Sequence, residues 1–221
     1  MSGRNTPLPD NRAFYDRISL AYDLLADASE HQFRERGEAA LAIQPGETVL
    51  EIGVGTGNSL LHLAQAAGPV GTVRGLDVSS GMLDVARRKL EKGGLADRVD
   101  LRQGDAREMP YQAAAFDACF LSFTLELFDD ADLPCALAEI RRVLKPGGRL
   151  AVVAMAAVGP GEKESILERG YEWMHRHFPH IVDCRPIDSS ALLEEAGFDV
   201  VCDQRFEMWT MPVSVVVATR P

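Results

Sequence analysis

The chain has 221 residues, 46% of them hydrophobic and 25% charged, with a formal net charge of −10 and a pI near 5.0. That length is one domain with at most a modest appendage, and a chain this apolar buries a core instead of remaining disordered. The acidic balance argues against binding nucleic acid by broad phosphate neutralisation.

No segment approaches the roughly 20 apolar residues needed to span a bilayer. The start, MSGRNTPLPDNR, is polar and lacks the apolar run of a secretory signal. Four cysteines (Cys119, Cys135, Cys184, Cys202) form no CxxC pair, and Cys119 and Cys202 sit in apolar runs that read as buried thiols. These features place the protein in the cytoplasm.

In chain order, residues 11–43 are expected to be helical, with Phe14, Ile18, Ala21 and Leu25 on one face, until Gln44-Pro45-Gly46 stops the pattern. Strands are then expected at Thr48–Ile52, Val73–Asp77, Val99–Gln103, Ala118–Ser122 and Arg149–Ala154. Helices are expected near Asn58–Ala67, Ser80–Lys92 and Ala131–Leu144. The third has cap candidates in Asp129, Asp130 and Asp132, and Lys145-Pro146-Gly147-Gly148 ends it. This alternation predicts a mostly parallel sheet covered on both faces. The last third departs from that rhythm. An added helix is expected over Glu162–Phe178 and a short one over Ser189–Ala196, then strands at Phe198–Phe206 and Pro212–Ala218, joined by Glu207–Met211 as a hairpin. The fold class is therefore α/β, a three-layer Rossmann-like sandwich whose seven-stranded, mostly parallel sheet ends in an antiparallel hairpin strand. Residues 1–43 form N-terminal helices over the site, and 44–221 form the core, with a helical cap insertion near 160–180.

The most informative segment is Glu51-Ile52-Gly53-Val54-Gly55-Thr56-Gly57-Asn58, a buried strand running through glycines into a helix. Glycines let the backbone turn sharply and approach a ligand without an intervening Cβ. A dinucleotide loop wants GxGxxG; from Gly53 the third glycine falls on Asn58, and from Gly55 on Leu60. Glu51 beside the turn is a poor neighbour for pyrophosphate and a good one for an ammonium group. Asp77, ending the second strand about 20 residues on, suits two ribose hydroxyls. After the third strand, the Asp105 carboxylate suits an exocyclic amine, and the Ala106 N–H a ring nitrogen.

These residues resemble the class I S-adenosylmethionine-dependent methyltransferases. Glu51-x-Gly53-x-Gly55-x-Gly57 resembles the first motif of that class, Asp77 its ribose-binding acid, Gly104-Asp105-Ala106 and Phe116-Asp117-Ala118 the next two, and Leu144-Lys145-Pro146-Gly147-Gly148 the element before the fifth strand. Within the class the chain is similar to the ubiquinone/menaquinone C-methyltransferase-like group through Phe14-Tyr15-Asp16-Arg17-Ile18, Tyr22-Asp23 and Leu121-Ser122-Phe123. The resemblance implies a cofactor, S-adenosylmethionine (leaving as S-adenosylhomocysteine), held by Tyr22, Glu51, Gly53, Gly55, Gly57, Asp77, Val78, Met82, Asp105, Ala106 and Ser122. It departs at one point: the quinone enzymes follow Ser-Phe with Gly and then an Arg-Asn pair, where this chain has Thr124 and then Glu126 and Leu127.

Methyl transfer is an in-line displacement in which the protein supplies alignment and desolvation, with a base only where the acceptor must lose a proton. Glu126, after the fourth strand, is a candidate for that base or for pairing with a cationic acceptor. The competing expectation is an exposed acid on a loop that also carries Asp129 and Asp130. On the expected cap helix, Trp173 and His177 share a face, with His177 a candidate acid–base group; Leu167, Tyr171, Met174 and Phe178 form a packing face. No metal site is expected, because His175 and His177 on one helix point about 200° apart. Pro134-Cys135 superficially matches a cytosine-methylating nucleophile but sits at a helix start, where a packed Cys135 is expected. The expected acceptor is a small lipophilic or aromatic, quinol- or phenol-like molecule, with no nucleic acid partner. No anchor is visible, which leaves peripheral membrane contact open, and oligomeric state is not legible. Three alternatives stand beside this reading: a phospholipid or amine N-methyltransferase, a non-catalytic S-adenosylmethionine-binding protein, and a nicotinamide-dependent oxidoreductase.

Overall fold

The structure is a computed structural model that describes residues 30–157, 185–208 and 211–221. Seven strands form one sheet in the order β3-β2-β1-β4-β5-β7-β6. They are β1 (Thr48–Ile52), β2 (Thr72–Asp77), β3 (Val99–Gln103), β4 (Phe116–Ser122), β5 (Leu144–Met155), β6 (Asp199–Met208) and β7 (Met211–Thr219). The first five run parallel, and β7 pairs antiparallel with both β5 and β6. The helices are α1 (residues 30–41), α2 (Asn58–Ala66), α3 (Ser80–Lys92), α4 (Leu133–Val143) and α5 (Ser189–Glu195).

Alternation along the strands builds two cores, one on each face. In β4, Ala118 and Phe120 join Val49, Val153 and Val215 under α1, α2 and α3. Cys119 and Leu121 face the other way, with Leu50, Val152 and Val216, under α4 and α5. The central strands are buried on both faces, so they read as continuous apolar runs. Phe120 is fully buried, and truncating it to Ala would cost about 3–5 kcal/mol.

Helix α1 lies close to the sheet because Gly37 meets it: a Cβ there would sit 2.4 Å from Val153. The end of α1 is tied down by Arg149, whose Nε donates to the Leu41 carbonyl at 2.9 Å. The motif residue Asp117 is structural. Its carboxylate accepts the Thr48 N–H at 2.9 Å and the Lys145 ammonium at 2.7 Å, joining β1, β4 and β5. Burial pushes this carboxyl up, but the Lys145 and Thr48 bonds outweigh it and hold it below its ordinary value.

Several expectations are corrected. Strand β5 begins at Leu144, not Arg149, because the Gly147 N–H donates to the Arg220 carbonyl and the Arg220 N–H to that of Gly148, so the C-terminal segment clasps the glycine turn. The hairpin connection is shorter than expected, since β6 runs to Met208 and β7 starts at Met211. Asp132 occupies the N-cap of α4 without capping it; its carboxylate takes Arg107 Nη1 at 2.5 Å. Cys135 is exposed, its thiol donating to the Arg107 carbonyl at 3.3 Å, and Cys202 is only half-buried, while Cys119 is buried as expected. Among the described residues no helix is long and apolar enough to cross a membrane. The expected helices before residue 30 and the cap over Glu162–Phe178 lie outside the described residues.

Candidate active site

Strand order reverses between β1 and β4, whose neighbours β2 and β5 lead away in opposite directions. In an open parallel sheet the loops leaving the carboxyl ends diverge at such a point and leave a crevice. The Gly53–Gly57 turn stands there. All three of its glycines have positive φ (71°, 51° and 81°), a region that L side chains enter at a cost. Their surroundings differ. A Cβ on Gly53 would strike the Thr124 side chain at 2.3 Å, and one on Gly57 would meet Ala86 of α3 at 2.8 Å. One on Gly55 would meet nothing within 4 Å. Gly53 and Gly57 are therefore demanded by packing, and Gly55 borders open space.

The turn is tied to β2. The Gly53 N–H donates to the Leu76 carbonyl, and the Gly55 N–H to Asp77 Oδ2, both at 2.8 Å. The second oxygen of Asp77 accepts the Ser79 N–H at 2.8 Å, while Ser79 Oγ caps α3 by accepting the Met82 N–H. Next to Asp77, Val78 is 46% exposed, an apolar side chain at the crevice edge, and Met82 is buried behind. Lys89 of α3 reaches back to Thr56 Oγ1 at 3.1 Å and to Asn58 Oδ1, bracing the start of α2 where no side chain caps it.

Glu51 is 3% exposed and its Oε2 has no hydrogen-bond partner among the described residues. Burial drives its carboxyl well above the ordinary range, and the carboxyls of Glu38 and Asp77 push the same way, against Ser59 and Arg34. On the far side of β2, Asp105 is gripped by Arg107 through three of its donors, and this holds the Asp105 carboxyl low. Ala106 is buried beside it.

Beyond β4, half-buried Ser122 is followed by Phe123 at φ +50°, a left-handed conformation costing a bulky residue about 1–2 kcal/mol. The turn it makes brings Thr124 onto Gly53, with Thr124 Oγ1 donating to the Ser122 carbonyl at 3.0 Å. Two residues on, Glu126 is 1% exposed, not the loop acid of the competing expectation. Its Oε1 accepts the Met155 N–H at 3.1 Å, and its Oε2 has no partner among the described residues. Burial pushes its carboxyl up to about 8; its own N–H and that of Met155 oppose this, and Glu30 of α1 adds to it. The geometry thus brings Glu51, the glycine turn, Asp77, Val78, Thr124 and Glu126 to one edge of the sheet. Tyr22, Trp173, His175, His177 and Cys184 lie outside the described residues.

Thr124, Arg107, Lys89 and the inward charges of α1 escaped the sequence reading. Only the last had a visible signal: Glu30, Arg34 and Glu38 recur every four residues beside the buried Phe33, Gly37 and Leu41. The donor set suits a ligand with a cationic end, a ribose and an aromatic base: a buried unpartnered carboxyl, a glycine cradle, an acid at the end of β2 and an apolar edge.

The fold and this donor set define an S-adenosylmethionine-dependent methyltransferase. Residues 49–148 match the family model described as methyltransferase domain. A demethylmenaquinone methyltransferase of Lactobacillus johnsonii is 32% identical over 178 residues, covering 79% of this chain and 70% of the relative. A ubiquinone/menaquinone biosynthesis C-methyltransferase of Brucella anthropi is 29% identical over 218 residues, covering 87% of this chain and 81% of the relative. The crystal structure of a SAM-dependent methyltransferase from Aquifex aeolicus has the same fold, with a TM-score of 0.66 at 22% identity over 95% of this chain and 98% of that one. The chain belongs to the family of the demethylmenaquinone and ubiquinone/menaquinone C-methyltransferases, and its cofactor is S-adenosylmethionine.

Proposed function

We propose that this enzyme methylates a small aromatic acceptor of the quinol or phenol class, with Glu126 as its base. Glu126 carries the reading: a carboxyl buried beyond β4, one oxygen unpartnered, and pushed up to about 8, close to where a base acting on an aromatic hydroxyl works best. The names of the two curated relatives point to the same class of acceptor. When bound, S-adenosylmethionine supplies an activated methyl group and a neutral thioether leaving group. In this reading Asp77 accepts the ribose hydroxyls, and Gly53, Gly55 and Gly57 keep the backbone close to the ligand. Val78 and Met82 flank the base, Asp105 and Ala106 meet its edge, and Glu51, Ser122 and Tyr22 border the methionine end. Glu126 takes the proton of the acceptor hydroxyl, which makes the ring electron-rich at the carbon to be methylated; after the methyl bonds there, the proton on that carbon passes to solvent and Glu126 returns its proton to the oxygen, restoring the aromatic ring. Thr124 over Gly53 and the apolar wall of β4 and β5 keep water from that step. His177 is a further acid–base candidate.

The test is label transfer from methyl-labelled S-adenosylmethionine to a reduced naphthoquinol, a simple phenol and a primary amine, with wild type and Glu126→Gln. Transfer to the quinol or phenol, lost in the variant, supports the proposal. Transfer to the amine alone supports a second reading, in which the buried Glu126 carboxyl pairs with a cationic acceptor.

A further inference from the structure

Helix α1 brings a second acid to Glu51. Glu38 is 11% exposed, and its Oε2 takes His62 Nδ1 of α2 at 2.9 Å. Its Oε1, Glu51 Oε2 and the hydroxyl of Ser59 are all buried with no well-formed hydrogen bond among the described residues. Ser59, 1% exposed at the start of α2, lies against both carboxyls, and its single proton can serve only one of them at a time. Two carboxyls around one hydroxyl, out of water, do not both ionise without a cation. The groups facing this pair are Arg34 from α1, His62 from α2 and Asp77 from β2. Arg34 is a single positive charge among three acids, and Asp77 is engaged with the glycine turn. Among the described residues, the acids around Ser59 outnumber the cations that face them.

We propose that Glu38, Ser59 and Glu51 form a seat whose two carboxyls hold one proton between them, and that the methionine ammonium of the cofactor takes that proton's place, releasing it to solvent. Glu38 thereby becomes a positioning residue for the methionine end, contributed by the N-terminal helix and not by the glycine motif. This rests on the cofactor placement proposed above. Proton balance is simple: the ammonium brings the charge, and one carboxylic acid ionises to meet it. A ligand with the same adenosine and no amino acid group leaves the proton where it is. The seat also couples α1 to occupancy of the site, because the ammonium bridges that helix to β1.

The experiment is calorimetry of the full chain at pH 7 with S-adenosylhomocysteine and with methylthioadenosine, each in two buffers of different ionisation enthalpy. S-adenosylhomocysteine should release up to about one proton per molecule bound, and methylthioadenosine none. Glu38→Gln should lower that release and weaken S-adenosylhomocysteine about tenfold, leaving methylthioadenosine affinity unchanged. Binding of S-adenosylhomocysteine by wild type without proton release overturns the seat and spares the cofactor reading. Failure of both ligands to bind overturns both. Release that persists in Glu38→Gln but vanishes in His62→Asn assigns the proton to the histidine and also overturns the proposal. If Glu38→Gln does not fold, the two-ligand comparison on wild type decides.

Discussion

The backbone N–H of Gly55 donates to Asp77 Oδ2 at 2.8 Å, so the turn after β1 is shaped by the acid that ends β2. Asp77 holds the glycine turn, and in the proposed reading it also accepts the ribose hydroxyls of the cofactor. Asp77→Ala removes both. We expect S-adenosylhomocysteine affinity to fall at least about 100-fold, the loss of two charge-assisted hydrogen bonds, with a folded protein remaining. Calorimetry and a melting curve on the same sample check this.

Gly55 and Gly57 separate ligand clearance from packing. Both have positive φ, but only Gly57 abuts Ala86. Gly57→Ala should cost about 2–4 kcal/mol, from left-handed strain plus overpacking. Gly55→Ala should cost about 1–2 kcal/mol, strain alone, yet reduce cofactor affinity more than its stability loss explains. Denaturant melts and cofactor titration on the pair test the contrast; equal stability losses would refute it.

As the proposed base, Glu126 should make activity and stability move oppositely with pH. As a base it works when ionised, so turnover with a quinol should rise with pH and level off above about 8, and Glu126→Gln should lower it about 100-fold or more. For stability, the native carboxyl keeps its proton up to about 8, whereas the unfolded chain loses it in the ordinary carboxyl range. Stability therefore falls as pH rises between those two values, and Glu126→Gln should flatten that slope. Melting temperature across pH 5–9 is the readout.

Asp117 belongs to a recognised motif but serves the fold. Its lowered carboxyl contributes stability above the ordinary aspartate range and loses it as pH drops through the native value. Asp117→Ala should cost about 1–2 kcal/mol, by freeing the Thr48 N–H and the Lys145 ammonium, without changing cofactor affinity. A changed affinity would place it in the site.

Most of the fold was legible because its signals are local. Thr48–Ile52, Val99–Gln103 and Ser80–Lys92 match their expected ranges, since apolar runs and punctuated amphipathic stretches report burial residue by residue. Errors cluster where distant chain decides, as at Leu144, recruited into β5 with the turn that Arg220 clasps. In the site, the glycine spacing, Asp77 and Asp105 could be read because each follows its own strand at a set distance.

The sequence by itself determined the α/β alternation, the glycine turn and the order of acids along one sheet edge, all properties of short segments and their spacing. Only tertiary structure decided that Glu126 is buried and that Glu38 meets Glu51 across two helices and a strand. The physical reason is that a carboxyl's protonation and partners depend on how much water is excluded around it and which charges face it. Around Glu51 those charges come from Glu38, Arg34 and Asp77, brought there by packing and by no local pattern.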